Sequence, residues 1–282
     1  MERTALDKIR RNERLSAMMK ILSDSPNQLF TLSFFCDRFA TAKSTMSEDI
    51  DILRDVVAAY GLGEIRTITG AAGGVMYRAR VSQVDALSSV SQLCEELSGS
   101  DRILPGGFLY LSDILSHPIL TRRMGNILAT QFYDAAPDFV LTMETKGIPV
   151  ALATAQALGV PLVIARHSSK VYEGSAVNIN YVSGSSGSIQ TMSLSRRAVT
   201  EGQTCIIIDD FLKGGGTAKG MEDLMHEFSI TVVGRGFVME TVAPSHKRVN
   251  EYKSLMLLDI VRLEDDSEAA KVRSEEHTSE LQ

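Results

Sequence analysis

The stretch from Cys205 to Thr217 carries the most chemistry in this sequence. An apolar run, Cys205-Ile206-Ile207-Ile208, ends in the acid pair Asp209-Asp210. Phe211-Leu212 follow, and then Lys213-Gly214-Gly215-Gly216-Thr217. The run predicts a buried strand, and the glycines lead into a predicted helix. Successive backbone N–H groups backed by a helix dipole form an anion cradle. Glycine lets the main chain approach a phosphate without side-chain collision, and Thr217 adds a hydroxyl donor. Carboxylates repel phosphate, so Asp209 and Asp210 must face something else: sugar hydroxyls, or Mg²⁺ and its waters. A sugar phosphate satisfies both halves. The segment is not a Walker A loop, because no Gly-Lys-Ser/Thr follows, and it lacks GxGxxG spacing.

Alternating strands and helices must hold that loop. The pattern predicts a helix over 117–133, a strand at Phe139–Met143 and a helix from Gly147 to Leu158. A strand follows at Val160–Ala165, with β-rich pieces at Val177–Val182 and Ile189–Leu194. Thr204–Ile208 reads as a strand, Gly216–Phe228 as a helix and Thr231–Met239 as a strand. This is an α/β class, a mainly parallel sheet flanked by helices. Ligands of such folds sit at the carboxyl ends of the strands, which singles out the loops after Met143, Ala165 and Ile208. An amphipathic stretch over 82–98 is expected to join this part to what precedes it.

The first eighty residues have a different grammar. Leu15, Met18, Met19 and Leu22 mark one face of a helix, stopped at Asp24-Ser25-Pro26-Asn27. A short helix is expected from Leu32 to Phe39. Met46, Ile50, Leu53 and Val57 mark a third, with Thr45 and Glu48 as its expected capping box. Short β segments around Ile65–Thr69 and Val75–Tyr77 flank a glycine-rich turn, Gly70–Gly74. Three helices and a glycine-tipped hairpin are the element order of a winged helix-turn-helix, whose third helix enters the DNA major groove. Lys43, Ser44, Thr45 and Ser47 would then face phosphates and base edges, with Arg11, Arg66, Arg78 and Gly73 along the flanking backbone. The competing reading is a small helical dimerisation module.

Composition bounds the rest. The chain has 282 residues and a formal net charge of −6, which at first argues against nucleic acid. The charge is uneven, however. Residues 1–80 hold 12 Lys and Arg against 10 acids, and the remainder hold 17 against 25. Basic residues cluster in the first twenty positions, a layout seen in DNA-binding modules. The three cysteines are scattered, so neither a disulfide framework nor a CxxC metal site is implied. No apolar run reaches the ~18 residues of a membrane span, and a cytoplasmic location is expected.

Cys205–Thr217 resembles the 13-residue phosphoribosyl-pyrophosphate (PRPP) motif of type I phosphoribosyltransferases. The resemblance implies ribose-hydroxyl contacts for Asp209 and Asp210, with Phe211 in the same motif. It implies a 5′-phosphate loop at Lys213, Gly214, Gly215, Gly216 and Thr217. The pyrophosphate loop matches Glu144-Thr145-Lys146-Gly147. Adding Ala42-Lys43-Ser44, Gly70–Val75, Arg102–Gly107, Glu173-Gly174-Ser175, Ile179–Ser186 and Ile189–Leu194, the whole chain resembles the bacterial pur operon repressors. That family implies a homodimer on double-stranded DNA operators of purine genes, relieved by PRPP with Mg²⁺, its transferase-like fold serving as a sensor and not an enzyme. Two other readings remain open: an active purine phosphoribosyltransferase with an accessory domain, and a guanosine polyphosphate in the same pocket.

The expected division is a winged-helix domain over 1–80, an effector domain over 81–263 and an acidic tail over 264–272. The last ten residues, 273–282, resemble the in-frame translation of a sequencing adapter and are set apart as foreign.

Overall fold

The computed structural model describes residues 9–70, 73–98, 102–104, 108–168, 174–183, 187–262 and 268–274. The chain divides into two compact units, Met1–Ser82 with Ala157–Gly159, and Gln83–Gln156 with Val160–Gln282.

In the first unit, α1 (Arg11–Asp24), α2 (Leu32–Phe39) and α3 (Lys43–Ala59) precede the hairpin β1 (Glu64–Ile68) and β2 (Gly74–Arg78). The apolar stripes predicted from spacing meet in one core. Met18 and Leu22 of α1, Phe35 and Phe39 of α2, and Met46, Ile50, Leu53 and Val57 of α3 bury together with Ile65 and Val75. The Thr31 hydroxyl caps α2 by accepting from Phe34 N at 3.2 Å. The Thr45–Glu48 capping box does not form. The helix starts earlier, with Ala42 as the N-cap and no side-chain cap at all. Glu48 turns instead to Arg11, 2.6 Å away.

The second unit holds a six-stranded sheet of order β12-β11-β10-β9-β5-β6. Its parallel strands are β5 (Phe139–Met143), β6 (Leu162–Ala165), β9 (Thr204–Leu212), β10 (Thr231–Thr241) and β11 (Lys253–Arg262). The centre is buried on both faces, which explains the unbroken apolar run at Cys205–Ile208. Helices α4 (Gln83–Leu97), α5 (Ser112–Ser116), α6 (Pro118–Phe132), α7 (Ile148–Leu158) and α8 (Gly216–Glu227) accompany the sheet. A two-residue pair, β3 (Ile103–Leu104) and β4 (Phe108–Leu109), follows α4.

Gly234 and Gly236 leave a furrow on β10. A Cβ at Gly234 would lie 2.6 Å from the Phe132 ring of α6. The hairpin of β7 (Ala176–Val182) and β8 (Ile189–Ser195) packs on α8, where a Cβ at Gly220 would stand 3.0 Å from Tyr181.

The expected tail needs correction. Residues 268–272 are not tail. With 273 and 274 they form β12 (Glu268–Ser274), antiparallel to β11. Its alternation puts Ala270, Val272 and Ser274 inward, a period-2 pattern masked in the sequence by neighbouring acids. β11 itself was also missed.

Candidate functional site

The ends of β5, β6 and β9 converge on a cavity of about 350 Å³. After β5 come Glu144, Thr145 and Lys146, with a cis peptide between Glu144 and Thr145. After β6 comes His167, whose N–H donates to Glu144 Oε1 at 2.6 Å. Arg166 stands 3.5 Å from the other oxygen of the same carboxylate. Glu144 thus braces the two strand ends together. Asp209 and Asp210 lie near the end of β9, which runs on through Phe211 to Leu212, and Lys213–Gly215 lead into α8.

Every predicted residue of the ligand set lines this cavity except Gly147. Gly147 lies beneath it, where a Cβ would collide with Asp209 Oδ1 and stand 2.7 Å from Thr142 Oγ1. Thr145 and Lys146 are exposed, whereas Asp209 is buried. Asp209 Oδ1 accepts from the Asp210 N–H at 3.0 Å. Burial pushes the Asp209 carboxyl well above the usual range, and the Asp210 charge adds to the shift. Burial also raises Asp210, against the pull of Lys146. A carboxylate pair of this kind favours a partner that donates hydrogen bonds or brings positive charge. Gly215 takes φ +76° at the N-cap of α8, a conformation that suits glycine.

In the other unit, Lys43, Ser44 and Ser47 are exposed on the first turn of α3, and Thr45 is half-buried. The helix start has no side-chain cap, so its N–H groups can serve a phosphate. Arg11 is half-exposed and is held against α3 by Glu48 and Asp49. Behind it Arg14 bonds Asp49 at 2.7 Å, with both side chains buried. Arg66 is exposed on β1, and Gly73 N–H bonds Gly70 O at the hairpin turn. Arg78 is corrected: it is buried and donates to Asn27 Oδ1, so it does not line an outer surface.

Arg102, considered for phosphate contact, pairs with Asp113 at 2.7 Å and Glu96 at 3.4 Å. Burial raises the Cys94 thiol to about 11 and Cys205 to about 12, which fits inert packing. Tyr181 and Gln190 lie in segments that carry the family resemblance but have no assigned role there, and Phe237 and the segment 240–252 carry no site signal in the sequence. The Tyr181 hydroxyl donates to Gln190 Oε1 at 2.8 Å, at the cavity wall. Their place at the site follows only from the fold.

Comparison with known proteins now decides the family. Residues 10–79 match the family described as bacterial purine repressor, N-terminal, and residues 111–274 match the phosphoribosyl transferase domain. The chain is 44% identical over 260 residues to the purine biosynthesis transcriptional repressor PurR of Bacillus subtilis, covering 92% of this chain and 91% of that one. The chain belongs to the bacterial purine repressor family.

This purine repressor family also includes a protein named for the opposite sign of control. The purine biosynthesis transcriptional activator PurR of Lactococcus lactis is 38% identical, over 92% of this chain and 96% of that one. A xanthine phosphoribosyltransferase from Deinococcus deserti is 34% identical, over 52% of this chain and 79% of its own length. The adenine phosphoribosyltransferase structure from Thermoanaerobacter pseudethanolicus shares the fold at a TM-score of 0.51 and 20% identity, covering 59% of this chain and 98% of that one. The purine repressor's second unit is therefore a type I phosphoribosyltransferase fold, and its first is the winged-helix module of the family. Among the described residues no helix is long and apolar enough to cross a membrane.

Proposed function

We propose that this chain represses purine biosynthesis genes as a cytoplasmic homodimer, and that PRPP bound in a non-catalytic phosphoribosyltransferase fold releases it from DNA. One observation carries the ligand reading: the acid pair Asp209-Asp210 stands beside a glycine loop at a helix start, over one cavity. The acids suit the ribose hydroxyls, and Gly214–Thr217 suit the 5′-phosphate. Lys146 and the amides around Thr145 suit the pyrophosphate.

Mg²⁺ fits the same donors. Among the described residues no cluster of three or more His, Cys, Asp or Glu could hold a metal, so the ion would share Asp209 and Asp210 with oxygens of the ligand. It would neutralise charge beside the carboxylates. The chain's own part is to orient the sugar with Asp209 and Asp210 and to seat the phosphate on main-chain amides.

Release requires that PRPP bind the DNA-free state more tightly than the DNA-bound state; otherwise the equilibrium does not move. A gel shift on purine-gene operators, titrated with PRPP and Mg²⁺, tests this directly. Unchanged DNA affinity at saturating PRPP overturns the reading. A reporter gene fused to the same operators distinguishes repression from activation, and analytical ultracentrifugation reads the oligomeric state.

The second reading is an active purine phosphoribosyltransferase, favoured by a PRPP loop that is intact in outline. Separate incubations of PRPP with adenine, guanine, hypoxanthine and xanthine would then yield nucleotide. A guanosine polyphosphate suits the same phosphate seats, and displacement of bound PRPP would reveal it.

A further inference from the structure

We propose that Lys247 is a positioning residue that aims the amides of the Gly214–Gly216 loop at the 5′-phosphate. The inference rests on the PRPP reading above and extends it to a segment that the motif does not contain.

The loop's carbonyls are the starting point. A carbonyl oxygen turned toward a phosphate repels it, and the N–H of the next residue attracts it. In a trans peptide these two groups point in opposite directions. The peptides that join 213 to 216 are trans, since the cis bonds among the described residues lie at Glu144–Thr145 and Ala243–Pro244. Whatever holds the carbonyls of 213, 214 and 215 on one side therefore directs the amides of 214, 215 and 216 to the other.

All three carbonyls are held. Lys247 Nζ donates to Lys213 O at 2.6 Å. The Arg248 N–H donates to Gly214 O at 3.1 Å, and the Lys219 N–H to Gly215 O at 2.9 Å. The last bond belongs to the first turn of α8 and needs nothing from outside. The first two come from the segment between β10 and β11. The loop residues Lys213 to Thr217 themselves line the cavity.

Lys247 is itself well anchored. Its ammonium also donates to Thr241 O at 2.6 Å and lies 3.2 Å from Thr241 Oγ1. Glu240 is the nearby acid, buried and accepting from Tyr252 Oη at 2.7 Å and Ser254 Oγ at 2.8 Å. The clasp also explains the glycine at 215, because a Cβ there would lie 3.0 Å from Arg248 N. Lysine suits this task. It offers three donors around one point charge, and three acceptors surround it here.

Isothermal titration of the full chain tests the assignment with three probes in the presence of Mg²⁺: PRPP, ribose 5-phosphate and pyrophosphate. Lys247→Met should weaken PRPP and ribose 5-phosphate by about tenfold or more, the scale of one lost charge-assisted hydrogen bond, and leave pyrophosphate unchanged. Lys247→Arg should recover most of the loss. The Gly214 and Gly215 amide resonances of the ligand-free Met variant should also move. An equal loss for pyrophosphate, or no loss for ribose 5-phosphate, overturns the assignment. Lys247→Gln serves in place of the Met variant if thermal melting shows that one unfolded. A wild-type chain that binds none of the three probes instead overturns the PRPP reading itself.

Discussion

The Asp209 carboxylate fills the space that a side chain at position 147 would need. A Cβ on Gly147 would collide with Asp209 Oδ1, and Thr142 Oγ1 would be 2.7 Å away. The pyrophosphate loop and the acid pair thus pack as one piece, with glycine as the spacer. Gly147→Ala should displace the carboxylate and abolish measurable PRPP binding by titration calorimetry. It should also cost about 1–3 kcal/mol of stability, the usual penalty of overpacking.

Asp209 should make the folded protein less stable as pH rises. Its carboxyl holds its proton more tightly in the native state than in the unfolded chain. Below about pH 4, the ordinary carboxylate value, both states are protonated and no penalty applies. Above it the unfolded chain releases its proton first, so stability falls until the native group also ionises. Asp209→Asn should therefore raise the melting temperature near pH 7, with a gain that fades below about pH 4. PRPP binding should be lost in the same variant. A melting temperature equal to or below wild type at pH 7 would contradict this account.

Glu48 holds the Arg11 guanidinium, which the proposed DNA-binding reading places near a phosphate. Its carboxylate lies 2.6 Å from Arg11, and both groups are largely exposed. Glu48→Gln removes one of the two carboxylates on Arg11, leaves the Asp49 contact, and should let the released guanidinium nitrogen reach a phosphate. Operator affinity should rise several-fold, and the slope of log affinity against log salt should steepen by about 0.9, the value for one more phosphate contact. A salt titration that gives an unchanged slope would count against the role of Arg11.

Much of the candidate site was legible in the sequence because it is local. Asp209 to Thr217 form one uninterrupted segment whose order repeats its chemistry, and their strand-loop-helix setting follows from periodicity. Gly147 was legible as part of a loop, but its contact with Asp209 was not, because 62 residues separate them and only the parallel sheet joins them. Lys247 lies outside any recognisable pattern. By charge alone, Glu48, Asp49 and Asp51 on α3 would oppose a nearby phosphate. The structure shows Asp49 buried against Arg14, an internal role that charge counting cannot separate from a surface one.

That buried pair gives a further prediction. Replacing one partner of a buried ion pair strands the other charge. Asp49→Asn should destabilise the protein by about 3 kcal/mol, seen as a lower urea midpoint. Hydrogen exchange should show the loss in α1, and PRPP affinity should stay at the wild-type value.

The furrow on β10 has a consequence for how this sequence can change over generations. Phe132 rests where Gly234 has no side chain, and Gly236 continues the same face. Neither partner is free to vary alone. Gly234→Ala should cost about 1–3 kcal/mol through crowding, and Phe132→Leu should cost stability through the gap it opens. Together they should cost less than the sum of the two, because the smaller ring site makes room for the added methyl. Positions 132 and 234, a hundred residues apart, should then drift as a pair, each recording what the other has become.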